Sequence, residues 1–198
     1  MRIGLLATTA LLLGGDEVEI EVSVGEGRGL DLFDIAGTVA YDGRGRPAAW
    51  HVRIELADGA QLRYRGEPFV VADGADVHRT LRAEVASTAS LQLRETLVLG
   101  RSSESGGRLR SETRLGVEGV DVWLEDQLLD PGRDRRHPGM LGDHRVLDSM
   151  IMVGTESVAT PPGAVGYALV DGRGRVVRYL GTGLAGSPLP ELWPVGDG

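Results

Sequence analysis

Apolar and polar residues alternate with a period of two in several stretches of the chain. The pattern is clearest in "VEIEVSV" (Val18 to Val24), in "HVRIEL" (Val52 to Leu56) and in "LRAEV" (Leu81 to Val85). Successive side chains of a strand point to opposite faces, so this alternation predicts half-buried strands with one face in water. Charged residues fill most of the intervening positions.

The strands recur as larger units. Val24 is followed by Leu30 and Leu32, Leu56 by Leu62 and Tyr64, and Val85 by Leu91 and Leu93. All three units share offsets of six and eight, with the small or polar linkers "GEGRG", "ADGAQ" and "ASTAS" between. A fourth unit, one residue shorter, places Leu115 ahead of Val120, Val122 and Leu124. Each unit reads as a strand, a tight turn and a second strand. Their spacing of about 30 residues suits stacked hairpins or a solenoid-like sheet. "DGRGR" occurs at Asp42–Arg46 and Asp171–Arg175 between apolar stretches, and Asp-Gly favours hairpin turns. "TPPG" at Thr160–Gly163 reads as a connector ahead of a last hairpin, and "SPLPELWP" permits one helical turn. The expectation is a single all-β domain over residues 1–198. Its strands are expected to be mainly antiparallel, in stacked hairpin or helicoid-like sheets with little helix.

Composition narrows the function. The net charge of −8 disfavours nucleic acid and anionic membranes as partners. The chain has no cysteine, which excludes disulfides, thiolate metal sites and a cysteine nucleophile. All 21 basic residues are arginine, so no Walker lysine exists. No apolar run reaches the roughly 18 residues that span a bilayer. The N-terminus has a signal-like shape, Arg2 followed by apolar Ile3 to Leu13, but a poor cleavage pattern where it meets Gly14-Gly15-Asp16. Two readings follow. One is a secreted all-β binding module with a signal peptide. The other is a cytoplasmic domain in which the stretch is a strand pair joined at Gly14-Gly15.

Catalytic constellations are weak. His51 and His78 fall in alternating patterns, where an exposed imidazole is the simplest account. His137 and His144 stand seven apart, a spacing no common zinc motif uses. Ser149 follows Asp148 without a nucleophile-elbow sequence, which leaves a serine hydrolase as a third, weaker reading. The unusual feature is acid within apolar stretches: Asp16 after "LLLGG", Glu67 in "YRGEPFVV", Glu95 in "LQLRETLVLGR", and Glu125 with Asp126 in "VWLEDQLL". Buried carboxylates need a partner, water or a cation. Alternation onto the wet face, with arginines such as Arg94 and Arg101 beside them, would satisfy them equally.

These residues resemble a known family. "LLLGGDEVEIEVSVG" resembles the Gly-Asp strand start of the urease accessory protein UreD (UreH) family. "AGTVAY", "LRYRGEPFVVADGADV" and "RETLVLGRSSESGG" are similar to its later segments, the last with Glu95, Gly100 and Arg101. "VWLEDQLLD" and "VGYALVDGRGRVVRYLG" follow in family order. The chain departs from the pattern near Tyr41, in the order Glu67-Pro68 and in "SESGG", and it is short before the Gly-Asp motif and towards the C-terminus. The resemblance implies a cytoplasmic, non-enzymatic β scaffold that binds apo-urease and UreF, which recruits the GTPase UreG. It also implies nickel passing transiently through an internal polar route, with no tightly bound cofactor and no nucleic-acid or membrane partner. By motif position Asp16, Glu95 and Glu125 are carried over as route-lining residues, with Glu67 beside them. Gly100 and Arg101 are carried over as a turn glycine and a counter-charge.

Overall fold

In a computed structural model, residues 1–131, 141–155, 158–170 and 172–193 are described. His137, Asp171 and Pro194 lie outside them. Among the described residues the chain is all-β, with fourteen strands and two short 3₁₀ turns, Leu184–Gly186 and Leu189–Leu192. Strand β1 (Arg2–Leu5) precedes three coils of similar design. The first holds β2 (Glu17–Val24), β3 (Gly29–Asp34) and β4 (Thr38–Ala40). The second holds β5 (Ala48–Leu56), β6 (Gln61–Arg65) and β7 (Phe69–Val71). The third holds β8 (Asp76–Val85) and β9 (Ser90–Leu99). A hairpin, β10 (Arg108–Val117) and β11 (Val120–Leu129), follows. The chain then runs through β12 (Val146–Val153), β13 (Ala164–Ala168) and β14 (Gly174–Gly181).

The first strand of each coil joins one sheet, ordered β11-β10-β8-β5-β2, and the later strands join the other, ordered β1-β3-β6-β9-β12-β14-β13. In the second sheet β4 and β7 add a branch on β9. The expected repeat sets the register. Val24 pairs with Leu56 and Leu56 with Val85, while Leu32 pairs with Tyr64 and Tyr64 with Leu93.

The hairpin expectation needs correction. Strands flanking "GEGRG", "ADGAQ" and "ASTAS" do not pair with each other, because each linker is a corner that carries the chain between sheets. Their neighbours run parallel, one coil away, except that β9 also pairs antiparallel with β12. Eight of the twelve pairings among the described residues are parallel, so the sheets are not mainly antiparallel. The physical reason is burial. Both strands of a unit carry apolar alternate residues, and folding one strand over the other gives them a common interior. A side-by-side hairpin would not. The corners are stitched from coil to coil, with the Ala57 N–H donating to Val24 O (3.1 Å) and the Ala86 N–H to Leu56 O (2.9 Å). The shorter fourth unit is a true hairpin, with Glu118 and Gly119 both at positive φ (52° and 74°), as a two-residue turn with the strands' own twist requires.

The opening stretch is also not a strand pair. β1 runs parallel to β3 in one sheet while β2 lies in the other. Between them Leu12 is buried, and Leu13–Asp16 closes a turn in which the Asp16 N–H donates to Leu13 O at 2.9 Å. The first "DGRGR" is a turn, as expected: the Arg44 N–H donates to Asp42 Oδ1 (2.8 Å) and the Arg46 N–H to Gly43 O (3.0 Å).

Between the sheets lies an apolar core that includes Ile54, Leu62, Leu91, Leu93 and Leu115. Full burial of each such side chain stabilises the fold by about 1.5–3 kcal/mol. The other face of the second sheet is covered at Met150, Met152 and Val177 by Leu189 of the last 3₁₀ turn.

Candidate functional site

Three inward-facing rows break the apolar core with polar groups. Continuing the repeat to an offset of ten from Val24, Leu56 and Val85 gives Asp34, Gly66 and Glu95, one step beyond the paired column Phe33, Arg65 and Arg94. Glu95 pairs in register with Ser149 and Ser149 with Arg178. On the facing sheet Val18 pairs with Trp50, Trp50 with Arg79, and Arg79 with Ser111. Ser111 pairs with Gln127, and Thr113 with Glu125 on the neighbouring row. Arg79, Ser111, Thr113 and Ser149 are all buried. A polar seam therefore crosses the interior between the sheets.

At one end the seam widens into a chamber of about 30 Å³. That is room enough for a water, which needs about 10–15 Å³. Asp34, Tyr64, Gly66, Glu67, Arg79 and Glu95 line it. Arg79 Nη2 donates to Glu95 Oε1 at 2.6 Å, an ion pair between the two sheets with both side chains largely withdrawn from water. The Arg79 guanidinium also lies 4.8 Å from the Phe69 ring centroid, a cation–π contact. Its buried Nε–H has no protein acceptor. Asp34 accepts from the Glu67 N–H (3.1 Å) and more weakly from Tyr64 Oη (3.4 Å). Burial raises the Asp34 carboxyl above its ordinary 3.8, against the lowering effect of those two hydrogen bonds. Burial, and then the charge of Asp34, push the Tyr64 phenol well above its usual range, so it remains a donor. Gly66 keeps the chamber open. A Cβ there would stand 2.9 Å from Arg94 O and 3.7 Å from Asp34 Oδ2.

At the far end Arg178 grips Glu125 with both terminal nitrogens (2.6 and 2.8 Å) while its Nε–H donates to Ser149 Oγ at 3.0 Å. This is a second ion pair between the sheets, and Ser149 joins it to the strand position of Glu95. The structure therefore brings Glu67 and Glu95 into one chamber and sets Glu125 along the same seam. Asp16 is elsewhere: its carboxylate accepts from the Leu13 N–H at 3.0 Å in the Gly-Gly turn. The wet-face alternative fails for Glu95 and Glu125, whose side chains are only 17% and 19% exposed. Their partners are Arg79 and Arg178, not Arg94 and Arg101. Arg94 instead holds the fully buried Asp148, which also accepts from Thr96 Oγ1 (3.0 Å) and Ser187 Oγ (2.6 Å). Arg101 pairs with Glu104 at 2.5 Å, and its hydrogen bond holds the Glu104 carboxyl down to about 2. Gly100 sits at φ 81° in that turn.

Asp34 and Arg79 escaped the reading from sequence, which took Tyr64 only as a repeat position and Asp148 only as the neighbour of Ser149. The repeat held a signal for Asp34, which shares the column of Glu95. Arg79 was visible as a charge in an inward position between Val77 and Leu81. Ser149 is buried and bonded to Arg178, with no imidazole among its hydrogen-bond partners. His51 and His78 stand together on the outer face of the five-stranded sheet, ring centroids 5.8 Å apart. His51 Nδ1 lies 2.8 Å from Thr80 Oγ1, and His78 Nε2 3.1 Å from Glu112 Oε1. Among the described residues no three metal-binding side chains gather to hold an ion, and no helix is long and apolar enough to cross a membrane.

Comparison with known proteins identifies a family. The profile described as "UreD urease accessory protein" matches residues 2–185. "Urease accessory protein UreD 1" of Streptomyces griseus is 45% identical over 184 residues, covering 92% of this chain and 71% of the relative. "Urease accessory protein UreD" of Frankia alni is 36% identical over 182 residues (83% and 61%), and that of Frankia casuarinae 33% over 171 residues (80% and 54%). The chain thus spans between about half and seven-tenths of the length of these relatives. With a family match over nearly its whole length, the chain belongs to the urease accessory protein UreD family.

Proposed function

We propose that this chain acts in urease maturation as a cytoplasmic, non-catalytic scaffold that works with UreF- and UreG-type partners and passes nickel to apo-urease. The observation that carries this reading is the polar seam from Asp34 through Glu95 and Ser149 to Glu125. A conduit must bind an ion well enough to admit it and weakly enough to release it. Carboxylates, hydroxyls and water suit that task, because imidazole and thiolate hold nickel more tightly. The acids of the seam are spaced along the interior, and each is balanced by hydrogen bonds or an arginine that can share it with a passing cation. Asp16, half-exposed in its turn, serves the fold at the edge of the first coil in this scheme.

The test is co-expression with a cognate urease and its accessory proteins, reading nickel per urease and urea hydrolysis. Arg79→Met with Glu95→Leu removes the chamber's ion pair without leaving either charge alone, and Gly66→Ala narrows the chamber without removing a charge. Both variants are expected to cut nickel loading by at least about tenfold while still binding the UreF-type partner, the equivalent of about 1.4 kcal/mol. Wild-type loading by both, with normal thermal unfolding, would remove the seam from the transfer path.

A further inference from the structure

The outer face of the five-stranded sheet carries two imidazoles side by side. His51 stands on β5 and His78 on β8, and both strands are paired on each side, so the ladder fixes their backbones. The ring centroids are 5.8 Å apart with an interplanar angle of 89°. Two imidazoles on one ion hold their centres about 5–6 Å apart, given metal–nitrogen bonds of about 2.0–2.1 Å. Each ring has one nitrogen engaged by a neighbour. The Glu112 carboxylate accepts only, so His78 donates from Nε2 (3.1 Å), and a neutral ring then keeps its lone pair at Nδ1. Thr80 Oγ1 lies 2.8 Å from His51 Nδ1 and can accept from it, which leaves Nε2 for a ligand. A hydroxyl or carboxylate on the far nitrogen is what orients ligating histidines in metal sites. Glu17 Oε1 already stands 3.7 Å from His51 Nε2. Ala49 lies in register between Glu17 and His78, so no long side chain separates the three. Of the nearby cations, Arg110 is the register partner of His78 and is held by Glu112 and Asp126, both at 2.9 Å. Arg53 and Arg82 lie one row further on, beyond His51 and Thr80.

We propose that His51 and His78 form a surface site for a divalent transition ion of the zinc, nickel and copper class. Glu17 is its third ligand, and water completes the shell. As the side chains stand, no such trio converges among the described residues. Ligation therefore requires rotation of the rings and of Glu17, whose side chain is 65% exposed. Imidazole suits these ions, whereas magnesium and calcium take oxygen ligands. The site lies on the opposite face of the sheet from Arg79 and does not depend on the nickel route.

The probe is zinc chloride, titrated into the full chain and followed by calorimetry and by nuclear magnetic resonance of the histidine ring nitrogens. The His51 and His78 signals are expected to shift together and to saturate at one equivalent, with excess magnesium unable to reverse the change. His51→Ala and His78→Ala should each weaken this binding by at least about tenfold, with His51→Gln and His78→Gln as milder replacements if an alanine variant fails to fold. Glu112→Gln, which acts only through the orientation of His78, should cost about tenfold, and Glu17→Gln should cost less than loss of either histidine. Arg79→Met with Glu95→Leu should bind zinc like the parent. The proposal is overturned if neither ring responds, if one responds alone, or if magnesium displaces the zinc. It is also overturned if a histidine variant that melts like the parent keeps the parent's affinity, or if a folded Arg79→Met, Glu95→Leu variant loses binding, which would put the ion between the sheets.

Discussion

Arg79 and Glu95 carry much of the chamber's polarity, and their energetics set them apart from the other ion pairs. Pairs such as Arg110–Asp126 and Arg114–Asp121 lie on exposed side chains, where water and salt leave typically 0–1 kcal/mol. Arg79 is 9% and Glu95 17% exposed. Breaking such a pair from one side leaves an uncompensated charge and costs about 3–5 kcal/mol, whereas replacing both with apolar residues is often neutral or better. Glu95→Ala should therefore lower the urea midpoint strongly, and Arg79→Met with Glu95→Leu should restore it. If the double variant is as unstable as the single, the pair is a net source of stability and not a retained functional feature. Asp34 makes a prediction of opposite sign. Because its folded carboxyl is raised by burial, the native state holds this proton more tightly than the unfolded chain. The resulting stabilisation is complete below 3.8 and is lost as pH climbs through the raised value. Asp34→Asn should thus gain on the parent across the window that opens at pH 3.8 in paired urea titrations. A flat or falling difference over that window would mean that the hydrogen bonds to Glu67 and Tyr64 outweigh burial.

Elements are held to one another by a few such residues, and the C-terminal 3₁₀ turns show this most simply. Leu189 packs on Met150, Met152 and Val177, while Ser187 Oγ donates to the buried Asp148 carboxylate and accepts from the Leu189 N–H at 3.2 Å. Ser187→Ala removes both bonds but leaves Asp148 with Arg94 and Thr96, so a loss of about 1 kcal/mol is expected. Hydrogen exchange should rise at Leu189–Leu192 and stay unchanged in β12. Equal acceleration in both would show that the segment and the sheet open together. Much of the element plan was legible in the chain. The offsets of six and eight from Val24, Leu56 and Val85 foretold the coil register, because residues that repeat at one spacing stack in one column. The partner of each strand was not legible, since a corner and a hairpin use the same small polar residues and differ only in where the next strand lies. The site divides in the same way. Glu95 and Glu125 stood out as charges inside apolar strands. Their arginines, Arg79 and Arg178, lie 16 and 53 residues away and meet them only when the sheets close, so no local spacing could join them.

At the scale of the whole molecule the stack has two unlike flanks. The second coil is covered by neighbours on both sides, whereas among the described residues β2 of the first has β5 on one side only. In a solenoid, stability is close to a sum of coil terms and nearest-neighbour interfaces, so a coil with one interface opens before a coil with two. Ile20 and Ile54 allow a comparison at constant chemistry. Ile54 is 0% exposed in the second coil, and Ile54→Ala should cost about 2–5 kcal/mol through lost burial and the cavity left behind. Ile20 is half-buried on the bare flank, where the same substitution removes less contact and leaves a space already open to water, so about 1 kcal/mol is expected. Native-state exchange should show the same gradient: amides of β2 open at a lower free energy than those of β5 and β8, with β1 and β3 following β2. Equal costs at the two isoleucines, together with uniform exchange across all coils, would mean that the ion pairs between the sheets bind the stack into one cooperative unit.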